Sequence, residues 1–472
     1  MLFRSTALEG FNRKLKYLAD QLNRPDYQNI LDGSRAVISF HATADGRVRP
    51  LLALAVRSDV RTGQLKDALR SSGIKNVSDT YTSGVKALAL PYDNNGEKDT
   101  LLAANVSGLL LFTPSAELMK NAISQTDRDD DVRTAPGFQR ILQSSGKNED
   151  KIFIVYSSLP SVLDSVFRSN PVLSAEKTGN IAGSSGCDIY INNNSLILSG
   201  YTESTNPDDI LYRYKSGAAK VFSNYRILPS ATVLFESIIF DPSKQSSQAL
   251  RKVPAQAAGL AGAMREYTGD EITKAYIDIR SKPVSSNSVI IYELKNRPYA
   301  EKIFLDRFSS SITENNIIFF RPDDQINIPV YLTPYKGYVS AFLENYTGTI
   351  SDSCFAFYDN YLITGSSYAT ISRILYDNIL NKTLANDLAY RDFESSLPSM
   401  SGYFFYCVPS RITAYLSEFL SEDIIKIMRE NRISLGKIQA LGYQLTPSND
   451  MIYNSLSVQF RDEIREESAT EW

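Results

Sequence analysis

Few residues in this chain could do chemistry, and their spacing decides what each could do. Ser72-Gly-Ile-Lys75 and Ser83-Gly-Val-Lys86 both fit S-x-x-K, and Lys177-Thr178-Gly179 fits K-T-G, the signature of serine acyltransferases. That chemistry needs a Ser opening a helix, so that Lys one turn later can take its proton. Ser72 closes an expected helix, Ser83 lies in a strand-rich stretch, and Tyr92-Asp93-Asn94 falls in an expected hairpin turn. Asp127, Asp129 and Asp131 alternate like a calcium loop, but Val132 stands where Gly is needed and Phe138 where Glu belongs. The pairs Asp323-Asp324 and Asp270-Glu271 read as separate loop features, which gives no glycosidase-type acid and base. The single His, His41, ends an expected strand with no partner in sequence. Cys187, Cys354 and Cys407 lack CxxC spacing and lie in apolar or Tyr-rich runs, so buried free thiols are expected. There is no P-loop, no G-x-G-x-x-G and no G-x-S-x-G elbow. The sequence predicts no catalytic residue, no cofactor site and no metal site.

The composition narrows the partners. Against 50 basic residues stand 53 acidic ones, so the net charge of −3 gives no broad phosphate-binding surface and no nucleic-acid partner is expected. No stretch reaches the ~18 apolar residues of a membrane span. Of 51 aromatic rings, 50 are Tyr or Phe, and they crowd the second half of the chain. Most should be sheet pairs and core. Tyr331, Tyr335, Tyr338, Tyr346, Tyr358 and Tyr361 are the candidate binding face, because Tyr offers apolar area with a polar tip.

The elements that must position these residues follow from periodicity. Phe11, Leu15, Leu18 and Leu22 share one face of a helix over residues 5–23, which Pro25 ends. Strands are expected over 36–41 and 51–56, a helix over 62–72, and strands over 85–91, 101–106 and 108–113. A helix capped by Ser115 follows, then a short helix near Phe138, the strand 152–156, a helix after Pro160-Ser161, and a hairpin across Asn192–Asn194. This order recurs. Thr364-Gly365-Ser366 repeats Thr113-Pro114-Ser115, Val408-Pro409-Ser410 repeats Leu159-Pro160-Ser161, and 442–445 with 455–460 repeats the closing hairpin. Earlier, 230–235 resembles 34–40, which makes Glu236 the counterpart of His41.

The predicted fold class is therefore α+β: two tandem related α+β domains, mostly antiparallel sheets with helices packed on them. The expected organisation is an N-terminal helix at 1–27, a first repeat at 28–204, a linker at 205–226 and a second repeat at 227–461. An Ala-rich helical insertion near 243–270 enlarges the second repeat, and 462–472 is an acidic tail.

The paired Leu-Pro-Ser and Val-Pro-Ser turns resemble those of a bacterial family called domain of unknown function 3352, in its Bacteroidetes-type form. So does the closing segment Ser448-Asn449-Asp450-Met451-Ile452-Tyr453-Asn454-Ser455-Leu456. The resemblance spans nearly the whole chain and implies an extracytoplasmic envelope protein with an N-terminal hydrophobic anchor. Leu2-Phe3-Arg4 reads as a start from which such an anchor has been trimmed, which would put the chain on the periplasmic side. The family has no established activity, so no site residue carries over. The expected function is a non-enzymatic scaffold or binding module whose partner is an envelope protein. The alternatives are a carrier of an apolar, lipid-like small molecule and a hydrolase with a site assembled from distant residues.

Overall fold

A computed structural model of the chain describes residues between 31 and 461, apart from 160–180, 240–265, 280–285, 309–313, 338–349, 417–419 and shorter interruptions. The expected helices at 5–23, after Pro160 and in the Ala-rich stretch, the tail 462–472, and Tyr335, Tyr338 and Tyr346 lie outside the described residues. Contacts divide the chain into two units. One comprises Met1–Gln143, Phe153–Ser185 and Phe419–Ser434; the other comprises Ser144–Ile152, Gly186–Glu418 and Leu435–Trp472. The expected linker at 205–226 thus falls inside the second unit.

The first unit holds a six-stranded antiparallel sheet. Its strands are β1 (Leu31–Ala42), β2 (Val48–Val56), β3 (Ser78–Thr82), β4 (Val85–Asn94), β5 (Glu97–Val106) and β6 (Leu109–Thr113). They lie in the order β1-β2-β6-β5-β4-β3. Helix α1 (Thr62–Ser71) connects β2 to β3 and buries Leu65, Ala68 and Leu69, the three residues its periodicity points inward. Together with Leu54, Val56, Leu88 and Leu110 they form the cluster on one face of the sheet. Helix α2 (Ala116–Gln125) follows β6, and its Met119 and Ile123 cover the other face against Ala87, Ala104 and Leu111. Ser115 caps α2 as expected, its Oγ accepting from the Leu118 N–H. The short helix α3 (Phe138–Ser144) buries Phe138 and Ile141.

A larger sheet carries β7 (Lys151–Val155), β8 (Ser184–Ile191) and β9 (Ser195–Glu203) at one end. Its other strands are β10 (Thr232–Ile239), β11 (Thr268–Ile277), β12 (Ser288–Leu294), β13 (Ile317–Phe320), β14 (Ile328–Leu332), β15 (Cys354–Tyr358), β16 (Tyr361–Gly365), β17 (Tyr403–Cys407), β18 (Ile438–Ser448) and β19 (Met451–Phe460). Their order is β13-β14-β15-β16-β12-β11-β10-β17-β18-β19-β9-β8-β7. Helix α4 (Arg297–Phe308) covers one face with Ala300 and Phe304. Helix α5 (Tyr368–Ile379) covers the opposite face with Ile371, Ile374 and Leu375, and α6 (Leu388–Glu394) adds Tyr390 and Phe393 there. No strand was expected at β3, β11, β13, β14 or β15. Residues 268–270, expected inside the helical insertion, belong to β11, whose alternation is masked because it is buried on both faces.

The pairing of β9 with β19 runs from Thr202 opposite Ile452 to Ser195 opposite Gln459. Thr202 donates to Asn454 Oδ1 at 2.5 Å, and Asn454 Nδ2 donates to the buried Cys187 sulfur at 3.3 Å, which links β8, β9 and β19. Gly200 faces Asn454 here, and a Cβ on it would lie 2.0 Å from the Gly186 carbonyl oxygen. Close backbone approach requires glycine at this place. Gly200→Ala should lower stability by about 1–3 kcal/mol by forcing β8 and β9 apart. A urea-unfolding midpoint equal to the native one would refute that.

Candidate functional site

The described tyrosines of the candidate binding face do not share one side of the sheet. Tyr331 is 7% exposed, stacks on Phe355 at 5.0 Å and packs in the cluster beneath α4. Tyr358 and Tyr361 are half-buried and pack on the opposite cluster, beneath α5. Period-two alternation accounts for the split, since β15 sends Phe355 and Phe357 one way and Cys354, Ala356 and Tyr358 the other.

The residues tested for chemistry are engaged locally. Ser83 has φ +49° and, with Gly84, turns β3 into β4, while Lys86 pairs with Asp79 at 3.3 Å. Asp131 accepts from the Arg133 guanidinium, which holds its carboxyl below the ordinary range. Asp323 Oδ1 accepts from the backbone N–H of Gln325 and Ile326. His41 is exposed on β1, 2.8 Å from Ser39 Oγ, and desolvation lowers its pKa. The three cysteines are buried free thiols, and burial pushes Cys354 and Cys407 up to about 12, far from thiolate reactivity.

What sequence reasoning missed is the segment after β9. The expected linker is a strap, fixed at each step by a charge or a ring. Ser204 Oγ donates to Asp209 at 2.7 Å. Lys215 lies 3.8 Å from Glu203 and 3.4 Å from Asp450, with its ammonium 5.6 Å from the Tyr212 ring centroid. The Tyr214 ring sits 5.4 Å from that of Tyr403, whose hydroxyl donates to Glu236 at 3.4 Å. Lys220 exchanges two backbone hydrogen bonds with Ser401, at 3.1 and 3.0 Å. Phe222 and Ile227 then enter the cluster beneath α5, whereas Tyr403 packs on the cluster beneath α4. The strap therefore contacts both faces of the sheet.

Its hardest contact is Glu271, which lies within β11 and is only 1% exposed. The Ser223 N–H donates to both carboxylate oxygens at 3.0 and 2.8 Å, the Asn224 N–H at 2.7 Å and Ser223 Oγ at 3.1 Å. Asn224 opens a 3-10 turn over Asn224–Ile227, so the carboxylate takes up N–H groups that no turn of helix could satisfy. Lys220 lies 2.5 Å from Asp270, 3.7 Å from Glu271 and 3.9 Å from Glu293. Burial opposes its ammonium, but these three carboxylates outweigh burial and raise its pKa. Burial likewise raises Glu271, while the Asn224 and Ser223 donors and Lys220 pull it down. A carboxylate with three donors and a neighbouring ammonium is the charged form at neutral pH. Asp270-Glu271 is thus a strand feature, contrary to its reading as a loop. Adjacent residues on a strand point to opposite faces, yet Lys220 reaches both carboxylates because the strap crosses at the strand's beginning.

Described cavities are small or open. The space among Tyr267, Leu294, Ala300, Phe304 and Phe357 holds about 10 Å³, barely a water. A second depression, lined by Ile191, Asn192, Asn194, Ser195, Ser396 and Gln459, is open, polar and without a carboxylate among these residues. No cluster of three or more metal-ligating side chains occurs among the described residues. Among the described residues, no helix is long and apolar enough to cross a membrane.

Two substitutions separate the buried Glu271 from the half-buried Glu236. Glu271→Gln leaves three donors and an ammonium facing a neutral amide, and should cost about 2–4 kcal/mol in urea unfolding at pH 7. Glu236 differs, because desolvation dominates and raises its pKa against Lys274 and the Tyr403 hydroxyl. A raised carboxyl binds its proton more tightly folded than unfolded. Its contribution is therefore full below the ordinary value of 4.5 and is lost as pH rises through the folded pKa. Glu236→Gln should thus melt higher than the native protein at pH 7, with the difference vanishing by pH 4. A lower melting temperature for that variant at pH 7 would contradict the desolvation argument.

No family model, no curated protein and no solved structure matches the chain.

Proposed function

We propose that the chain is a non-enzymatic scaffold or binding module built from two copies of one α+β design, with the strap clamping the connection between β9 and β10. Support for two copies comes from register. The order β1-β2-β6-β5-β4-β3 recurs as β11-β12-β16-β15-β14-β13. Leu52 opposes Phe112 and Ala36 opposes Leu54 in the first sheet; Ile290 opposes Thr364 and Ile272 opposes Tyr292 at the corresponding places in the second. The Val56 N–H donates to the Gly108 carbonyl at 2.9 Å, and the Leu294 N–H to the Asn360 carbonyl at 2.8 Å. Ser115 and Ser367 are both N-caps accepting from the residue three ahead. This shifts the match of Thr113-Pro114-Ser115 by one, onto Gly365-Ser366-Ser367, because the cap fixes the frame. It also places β1 opposite β11 rather than the strand at 230–235, so Glu236 is not the counterpart of His41.

Aromatic excess acquires a meaning in this frame. Leu54, Leu88 and Ala103 beneath α1 correspond to Tyr292, Tyr331 and Phe355 beneath α4. Rings fill what methyl groups fill in the first copy, so these aromatics enlarge a core.

The observation that carries the non-enzymatic reading is the strap: the buried Glu271 and the charges around it are compensated internally and hold a connection in place. A lipid carrier would need an apolar cavity of hundreds of Å³, and a hydrolase a cleft with converging carboxylates. The envelope location rests on the family resemblance alone, with an envelope protein as the partner class it implies.

Limited trypsin digestion tests the clamp. Cleavage after Arg213, Lys215, Lys220 and Arg226 should be at least tenfold slower in the native protein than in the Glu271→Gln variant. Native mass spectrometry should give the mass of the polypeptide alone. Immediate cutting within 205–226 would refute the clamp, and a co-purifying lipid mass would establish the carrier instead.

A further inference from the structure

The two copies differ at one strand. In the second, β11 pairs with β12 on one side and with β10 on the other, Phe235 opposing Ala275 and Ser237 opposing Thr273. Ala275 and Thr273 are then fully buried. In the first, β1 pairs with β2 in the register that β11 keeps with β12, and both pairings carry an irregularity at the strand's beginning, between Leu31 and Ala36 and between Thr268 and Ile272. Yet β1 is the edge of its sheet, and no described strand stands where β10 stands. Val37, Ile38 and Phe40 are 63%, 55% and 66% exposed as a result.

An edge strand with free N–H and C=O groups normally carries Lys, Pro or an inward charge, or is short. From Ala36 to Ala42, β1 carries no Lys, Arg, Asp, Glu or Pro, and its twelve residues make it longer than β11. It has the composition of an interior strand in an edge position. In sequence, residues 5–23 follow a helical period, and Pro25 with Asn23, Arg24 and Asp26 interrupts any apolar alternation before Asn29.

We propose that β1 is a strand-acceptor edge, completed by an antiparallel segment from another protein. This rests on the two-copy reading, and β10 defines the chemistry of the occupant. The segment is extended, free of Pro, and rich in β-branched and aromatic residues, as in Thr232-Val-Leu-Phe-Glu-Ser-Ile-Ile239. Main-chain hydrogen bonds to β1 supply affinity, and contact with Val37, Ile38 and Phe40 supplies selectivity.

The probe is a fluorescent peptide carrying Thr232–Ile239 followed by two lysines, titrated with the full chain and read by anisotropy. Saturable binding is expected, with amide hydrogen exchange slowed at least tenfold over residues 37–41 when peptide is added. The double variant Val37→Lys, Phe40→Lys should bind at least tenfold more weakly while keeping the native urea midpoint, since both side chains are exposed. Three results overturn the proposal: no saturable binding; slow exchange at 37–41 in the free monomer, which means the chain covers its own edge; or slow exchange that tracks a dimer in native mass spectrometry, which means a second copy covers it. None of these disturbs the clamp, whose proteolytic test is separate.

Discussion

A β-strand leaves half of its backbone hydrogen-bonding groups pointing sideways, and each must find a partner. How each edge is closed explains most of this chain. The strands β9 and β19 end successive hairpins, and by pairing antiparallel they join two sets of strands into one sheet. Their closeness is set by what stands on them. Gly200 admits the Gly186 backbone, and the chain from Thr202 through Asn454 to Cys187 replaces apolar contact by directed bonds. A slip of one residue would turn Asn454 to the opposite face, away from Thr202 and Cys187, so polar groups here fix register as well as contact.

The same constraint explains the buried charge. After β9 the chain must reach β10, which lies four places along the sheet beyond β19, β18 and β17. A connection crossing the sheet's end exposes its own N–H groups, and the Glu271 carboxylate accepts from those of Ser223 and Asn224, with the Lys220 ammonium beside it. Salt bridges on a surface contribute little, but this one is reached by backbone donors and excluded from water. The pKa directions fit that division: Lys220 is held up by three acids, whereas Glu236 is raised by burial with a single tyrosine hydroxyl and Lys274 beside it.

Local signals were legible in the sequence and long-range ones were not. Leu65, Ala68 and Leu69 announced the buried face of α1, and Ser115 announced the cap of α2, because both depend on neighbours within four residues. Strand β11 was not, because burial on both faces removes the alternation that marks a strand. The role of Glu271 was illegible since its donors lie 47 and 48 residues away, and nothing in an Asp-Glu pair says which strand it occupies. Tyrosine content was visible but its distribution over two faces was not: that depends on whether a position is odd or even along a strand, as Phe355 and Tyr358 show.

The free edge at β1 and the clamp at β10 are linked by chain order. In the larger sheet the strand beside β11 is β10, which follows the strap directly in the chain. The six-stranded sheet carries both of its hydrophobic clusters without a described strand at that place. Leu54, Leu65 and Leu88 close one face beneath α1, while Leu111, Met119 and Ile123 close the other beneath α2. Folding of that sheet therefore does not depend on an eleventh-hour partner at its edge. What β10 contributes to the larger sheet is closure of the edge at β11, with Phe235 opposite Ala275 and Ser237 opposite Thr273.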